Sequence, residues 1–249
     1  MNRDDLTRRM KTLSTRGLKA ARLVGTPRWR TAMRQGVAAT VEHDRLPLDR
    51  NYRTVIDVGA NRGQFALYAR ERFPEARIYS IEPLSGPRAS IRRLFEDDAR
   101  VQVLDFAAGA SEGSAVINIT HHDDSSSLLP PSELQTSRFP GTYTETTETV
   151  KVRSLDDALA DEEIARPVLL KIDVQGFELE VLKGATKLLS QVDAVMTECS
   201  FVEFYEGQAL FDDIYALLRD EGFQLSGGAM SAATGAQWEQ GDFVFKRAA

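Results

Sequence analysis

The sequence predicts an α/β domain built on a mostly parallel sheet with helices on both faces. Three observations predict it. Short apolar runs alternate with longer amphipathic stretches from residue 54 onward. The first run stops at glycines and turns directly into a helix-like stretch. Several of the runs end in a carboxylate, at Asp57, Glu82, Asp173 and Glu198.

The elements follow in order. Apolar runs predict strands over 54–58, 77–82, 101–106, 168–173, 194–200, 223–227 and 242–247. Amphipathic periodicity predicts helices near 63–72, 86–96, 178–190 and 208–221. In the last of these, Leu210, Ile214, Leu217 and Leu218 share a face, and Glu221-Gly222 ends it. The rhythm breaks after Ala108-Gly109. Residues 115–119 and 149–153 read as the arms of a hairpin, and the polar stretch between them as a lid over the substrate side, so an insertion spans 110–153.

A chain of 249 residues with 42% hydrophobic and 27% charged residues fits one large domain. Its single cysteine, Cys199, excludes an intrachain disulfide and sits in an apolar run, as a core residue does. No apolar stretch reaches membrane-spanning length and no secretory signal is visible, so a cytoplasmic protein is expected. The net charge of −6 argues against a general nucleic-acid binder. Residues 1–34 nevertheless hold ten Lys/Arg and two Asp. Leu6, Met10 and Leu13 recur there at helical spacing between basic residues, and Gly17, Gly25 and Gly36 divide the segment into short helices. Residues 1–45 therefore read as a basic helical extension. It either packs on the acidic body, frays, or lies on an anionic membrane surface at the inner face.

The run Val55 to Gly63 reads Asp-x-Gly-x-Asn-x-Gly after a buried strand. Glycine lets the backbone take positive φ and lets a ligand approach closely, and the helix N-terminus that follows offers free N–H groups. Glu82, at the tip of the second strand, is placed to bind ribose hydroxyls. The phosphate-binding Gly-x-Gly-x-x-Gly is absent. A carboxylate at Asp57 repels a pyrophosphate but suits a cation, and S-adenosylmethionine carries an ammonium and a sulfonium without phosphate. A dinucleotide and a plain structural turn are the alternatives.

A second strand ends the same way in Lys171-Ile172-Asp173-Val174-Gln175-Gly176. Ligands of open α/β sheets bind at the carboxyl ends of the strands, so four acidic strand ends suggest one site. Methyl transfer requires an acceptor held in line and relieved of its proton. Asp173 is the first choice for that role, Glu198 the second, and His121 or His122 on the loop the third. A divalent cation held by Asp173 and its neighbours is a further reading, not favoured because no metal-ligand spacing is visible. Ser125, Ser126 and Ser127 offer hydroxyls to a polar acceptor, and Phe201 and Tyr205 offer a wall; a flexible serine tract and ordinary core are the plainer alternatives.

These motifs resemble the FkbM family of S-adenosylmethionine-dependent O-methyltransferases. The matching stretches are Ile56 to Gly63, Ile81-Glu82-Pro83, Ala107-Ala108-Gly109, Ser126-Ser127-Leu128, Val152 to Asp157, Leu170 to Ala185 and Gln240 to Phe245. The resemblance runs from about residue 50 to the end. It implies a class I (Rossmann-like) methyltransferase fold with seven strands, occupying 46–249. It implies that Asp57, Gly59, Asn61 and Gly63 border the methionine part, Glu82 the ribose, and Asp105 and Phe106 the adenine. Many members have glutamate where this chain has Gln175, which further weakens the metal reading. Family acceptors include sugars, macrolide hydroxyls and lipid-linked glycans. The expected activity is thus O-methylation, most readily of a sugar hydroxyl on a glycolipid or secondary metabolite. A small-molecule or glycolipid acceptor is the expected partner, a nucleic acid is not, and a homodimer stays open. A NAD or nucleotide-sugar enzyme, and a catalytically silent binding or assembly protein, are the rival readings.

Overall fold

The structure is a computed structural model that describes residues 25–121, 125–234 and 236–248. The expected first short helix around Leu6, Met10 and Leu13, and His122, lie outside the described residues.

The main sheet contains β1 (Thr54–Val58), β2 (Arg77–Ile81), β3 (Val101–Leu104), β7 (Val168–Ile172), β8 (Ala194–Ser200), β9 (Phe223–Thr234) and β10 (Gln237–Arg247). Their order is β3-β2-β1-β7-β8-β10-β9. β10 runs antiparallel to both neighbours, and the other pairings are parallel. The order reverses between β1 and β7, which places the switch-point crevice at their carboxyl ends. β1 and β7 are buried along their whole length, as strands covered on both faces must be.

Helices cover both faces. On one lie α1 (Pro27–Arg34), a 3₁₀ turn (Val41–Arg45), α2 (Gln64–Arg72) and α3 (Ser85–Leu94). The other is covered by α5 (Leu155–Ala158), α6 (Glu178–Lys183), α7 (Thr186–Leu189) and α8 (Phe211–Asp220). The two-residue period of a strand divides its side chains between these layers. Val55 and Leu169 pack with Trp29, Phe65 and Leu67 on the first face. Ile56, Leu170 and Ile172 pack with Val181 and Leu218 on the second. Residues 27–48 belong to the first layer: Trp29 is buried and its Nε1 donates to Leu67 O at 3.0 Å.

The insertion forms a second, three-stranded sheet in the order β4-β6-β5, from β4 (Ala107–Ala108), β5 (Gly113–Thr120) and β6 (Thr144–Arg153). β5 and β6 pair antiparallel from Gly113↔Val152 to Thr120↔Thr144. A short helix, α4 (Glu133–Arg138), is capped by Ser132 Oγ and tied back to the main domain, where Ser132 N donates to Phe204 O at 2.9 Å.

Two elements differ from the sequence expectation. The single helix expected over 178–190 is broken into α6 and α7. Gly184 ends α6, and a Cβ there would lie 2.0 Å from Gly109 O, so the crossing backbone requires glycine at the break. The Asp156 carboxylate then accepts from Lys187 N and Leu188 N and caps the new start. The last two strands are far longer than 223–227 and 242–247. Residues 226–241 are mostly Ser, Gly, Ala and Gln, which carry little strand pattern, and the backbone ladder with β10 sustains them.

Candidate active site

The carboxyl ends of β1, β2 and β7 open into a cavity of about 240 Å³. Its floor is the turn after β1. Gly59 has φ +73°, and a Cβ there would meet Asp173 O at 1.8 Å, so glycine alone lets the β1 and β7 turns approach. Asn61 is also left-handed, and Gly63, at φ +92°, caps α2. Gly59, Asn61 and Gln64 line the cavity, while Gly63 packs behind them against Ile91.

Glu82 sets one end. Its Oε2 accepts from Asn61 N at 2.9 Å and its Oε1 from Leu84 N at 2.8 Å. Burial pushes its carboxyl up to about 7, against the pull of those two N–H groups. Each oxygen keeps a further lone pair for a donor from the cavity. Phe106 is buried beside it and gives an apolar wall, with the Arg153 guanidinium 5.5 Å from its ring centre. Asp105 next to it, just past the end of β3, is exposed and off the lining.

Asp173 sets the other end, where its half-buried carboxylate lines the cavity. Asp57 does not: it is wholly buried behind the floor, with Oδ1 3.1 Å from Lys171 Nζ. The pairing follows from register, since Asp57 and Lys171 are direct partners across β1 and β7 and share the Phe65 face. Lys171 Nζ also donates to Gly59 O at 2.9 Å and Val58 O at 3.3 Å, which pins the turn. Burial raises the Asp57 carboxyl and Lys171 opposes it. For Lys171, burial is outweighed by Asp57, Asp173 and Asp242, which hold its ammonium charged. Sequence reasoning missed Lys171, although a charge inside a fully buried five-residue strand is a readable signal.

Glu198 lies on the same sheet face, two residues beyond Met196, and opposite Asp242 in the register. It does not line the cavity. Burial raises its carboxyl well above the usual range, helped by Asp173, Asp242 and Glu178. Between it and Asp173 stands Gln175, whose Nε2 donates to Asp173 Oδ1 at 2.8 Å and to Glu198 Oε2 at 3.2 Å. Among the described residues no group of three or more His, Cys, Asp or Glu side chains is arranged to hold a metal ion.

The remaining expected residues divide. Ser126 and Ser127 line the cavity, but Ser127 Oγ donates to Gln175 O at 2.6 Å and accepts from Leu129 N, so its hydroxyl serves the turn. Ser125 lies off the lining, with its carbonyl 3.1 Å from the Tyr205 hydroxyl. Tyr205 is buried behind Gln175 rather than walling the cavity. Phe201 stacks on Phe211 and against Phe243 on the opposite sheet face, and remains 37% exposed. His121 projects outward from the end of β5, its Nδ1 in hydrogen-bond contact with Glu145 Oε1 at 3.0 Å, outside the cavity. A histidine the motifs did not suggest, His43, does line it, with Nε2 3.9 Å from Asp242 Oδ2 and its ring against Phe65.

The strand order with one reversed strand, and a glycine turn facing an acidic β2 tip, define a class I, Rossmann-like methyltransferase fold. The model of the methyltransferase FkbM domain matches residues 57–225, and the chain belongs to that family. It is 28% identical to methyltransferase sdnD of Sordaria araneosa over 69% of this chain and 74% of that protein. It is 32% identical to the 2-O-methyltransferase NoeI of Sinorhizobium fredii, over 66% of this chain and 70% of that one. It is 29% identical to the hexuronic acid methyltransferase AglP of Haloferax volcanii, over 67% of each. No helix of the described residues is long and apolar enough to cross a membrane.

Proposed function

We propose that this protein transfers a methyl group from S-adenosylmethionine to a hydroxyl, on a sugar of a glycolipid or secondary metabolite. The observation that carries the reading is the pair of carboxylates at the two ends of one cavity. Glu82 is oriented by two backbone N–H groups toward a diol, and Asp173 faces in from β7. The residues suit the cofactor: an acidic ribose acceptor, an apolar wall at Phe106 and no built phosphate cradle. The names of NoeI, a 2-O-methyltransferase, and AglP, a hexuronic acid methyltransferase, support hydroxyl chemistry and a sugar acceptor.

S-adenosylmethionine supplies, when bound, a methyl group activated by its sulfonium. Glu82 accepts the ribose hydroxyls. Lys171 keeps the floor turn fixed through Val58 O and Gly59 O. Asp173 orients the acceptor hydroxyl and holds its proton. The β4-β6-β5 sheet and the serine strap at 126–127 close over the cavity and keep water out.

Calorimetric titration with S-adenosylmethionine and S-adenosylhomocysteine tests the cofactor, with Glu82→Gln as the control. The wild type then receives S-adenosylmethionine and a panel of sugar-bearing acceptors, and mass spectrometry scores the gain of one methyl. Binding lost in Glu82→Gln and a methylated sugar are expected. A folded sample that binds neither ligand, or binds NADH instead, would sink the reading.

A further inference from the structure

Gln175 occupies a position that its backbone does not favour. Its φ is +56°, a left-handed geometry in which a residue with a Cβ is strained. Its neighbour Gly176, also at positive φ, adopts such geometry freely. The side chain that is retained makes three polar contacts and fills both ends of its amide.

The sense of those contacts is uniform. Gln135, buried on α4, donates from Nε2 to the Tyr205 hydroxyl at 3.2 Å. That hydroxyl has one hydrogen, lies 2.8 Å from Gln175 Oε1 and 3.1 Å from Ser125 O, and meets the amide at the shorter distance. With its carbonyl end taken, the amide turns its NH₂ to Asp173 Oδ1 and Glu198 Oε2. A flipped amide would set a carbonyl oxygen against the Asp173 carboxylate and an NH₂ against a hydroxyl that already accepts from Gln135. Ser127 Oγ holds the Gln175 carbonyl from the insertion side. Gln135, Ser125 and Ser127 all belong to the insertion, whereas Asp173 belongs to the main sheet.

We propose that Gln175 is a positioning residue that fixes the Asp173 carboxylate for proton transfer, and that Gln135 and Tyr205 set the sense of its amide from the insertion. The proposal rests on the O-methyl transfer reading above. Nε2 holds Oδ1, and Oδ2 lies 3.7 Å from Lys171 Nζ, so the carboxylate is fixed from two sides at the cavity where the acceptor would sit. Seating of the insertion thereby completes the site, because the same hydrogen-bond chain begins on α4 and ends on Asp173.

Two measurements test it. The first is steady-state kinetics of Gln175→Leu, Gln175→Glu and Tyr205→Phe on the methylated acceptor. Glutamate keeps the size of the side chain but replaces the donor by an acceptor. Both Gln175 variants are expected to lose roughly 10- to 100-fold in kcat, with KM and S-adenosylhomocysteine affinity within about twofold, and Tyr205→Phe to lose less. Wild-type kcat in Gln175→Glu would show that the residue only fills space. The second reads the side-chain amide signals of Gln175 by ¹⁵N NMR, identified by their loss in Gln175→Leu, and needs no acceptor. Tyr205→Phe, which is nearly isosteric, and Asp173→Asn are both expected to displace them. Signals unmoved in both variants would overturn the relay even if no acceptor is ever methylated, an outcome that bears on the function reading alone.

Discussion

Lys171 and Asp57 face each other across the β1–β7 register, ammonium to carboxylate at 3.1 Å, with side chains 5% and 0% exposed. Parallel pairing makes them neighbours, and period-two alternation turns both toward Phe65. The same ammonium ties down two carbonyls of the cavity-lining turn. One side chain therefore serves folding and site geometry together. Removing one partner of a buried pair leaves the other charge uncompensated and costs about 3–5 kcal/mol. Lys171→Met is expected to lower chemical-denaturation stability by that order. The double variant Asp57→Leu/Lys171→Met is expected to regain most of it, yet to bind S-adenosylhomocysteine poorly, since the turn carbonyls are still unheld. Wild-type affinity in the double variant would remove Lys171 from the site.

On the proposed function, Glu82 is expected to make cofactor binding a proton-linked event. Burial holds its carboxyl at about 7 in the free protein, so it is partly protonated near neutrality. Hydroxyls that donate to it favour the ionised form and pull the carboxyl down. A group whose affinity for protons falls on binding releases them, so affinity is expected to rise with pH through about 7 and to level off above about 8. Calorimetry with S-adenosylhomocysteine in two buffers of different ionisation enthalpy reads the released fraction directly. Glu82→Gln carries no such proton, and whatever binding it retains should show none of this buffer dependence. A release that persists in that variant would assign the proton to another group.

The sequence made the outer frame of this site visible and hid its connections. β1, β2 and β7 were legible because strands buried on both faces read as continuous apolar runs, and their acidic ends read as a shared edge. Glu82 and Asp173 accordingly reach the cavity as the motifs suggest. Asp57 reads the same way, yet its carboxylate turns to Lys171, because the register between β1 and β7 is set by the whole sheet and not by either motif. His43 and Lys171 are separated by about half of the chain and meet at Phe65 only through the fold. The relay from Gln135 to Gln175 was hidden for the same reason: polar residues in an irregular insertion carry no period. His121 read as a base from its ordinary chemistry, but chemistry without placement left it on Glu145 at the surface.

Two glycines separate the cost of folding from the cost of function. Gly59 brings the β1 turn against β7 at the cavity floor, and Gly184, which does not line the cavity, brings the α6 end against the β4 exit. At Gly59 an added Cβ meets Asp173 O at 1.8 Å, and φ is +73°. At Gly184 the Cβ meets Gly109 O at 2.0 Å, but φ is −85°, where any residue is at ease. Both obstacles are backbone, so neither can be relieved by a rotamer change. Gly59→Ala and Gly184→Ala are each expected to destabilise by about 2–4 kcal/mol, measured by denaturant unfolding. Their effects on ligand should diverge. Moving the β1 turn away from Asp173 displaces the floor that Asn61 and Glu82 share, so Gly59→Ala should lose S-adenosylhomocysteine binding at temperatures where it is still folded. Gly184→Ala, once folded, should bind within about threefold of wild type, a change worth under 1 kcal/mol. Equal losses in the two variants would mean that affinity follows global stability, and that the close approach at Gly59 is a packing device alone.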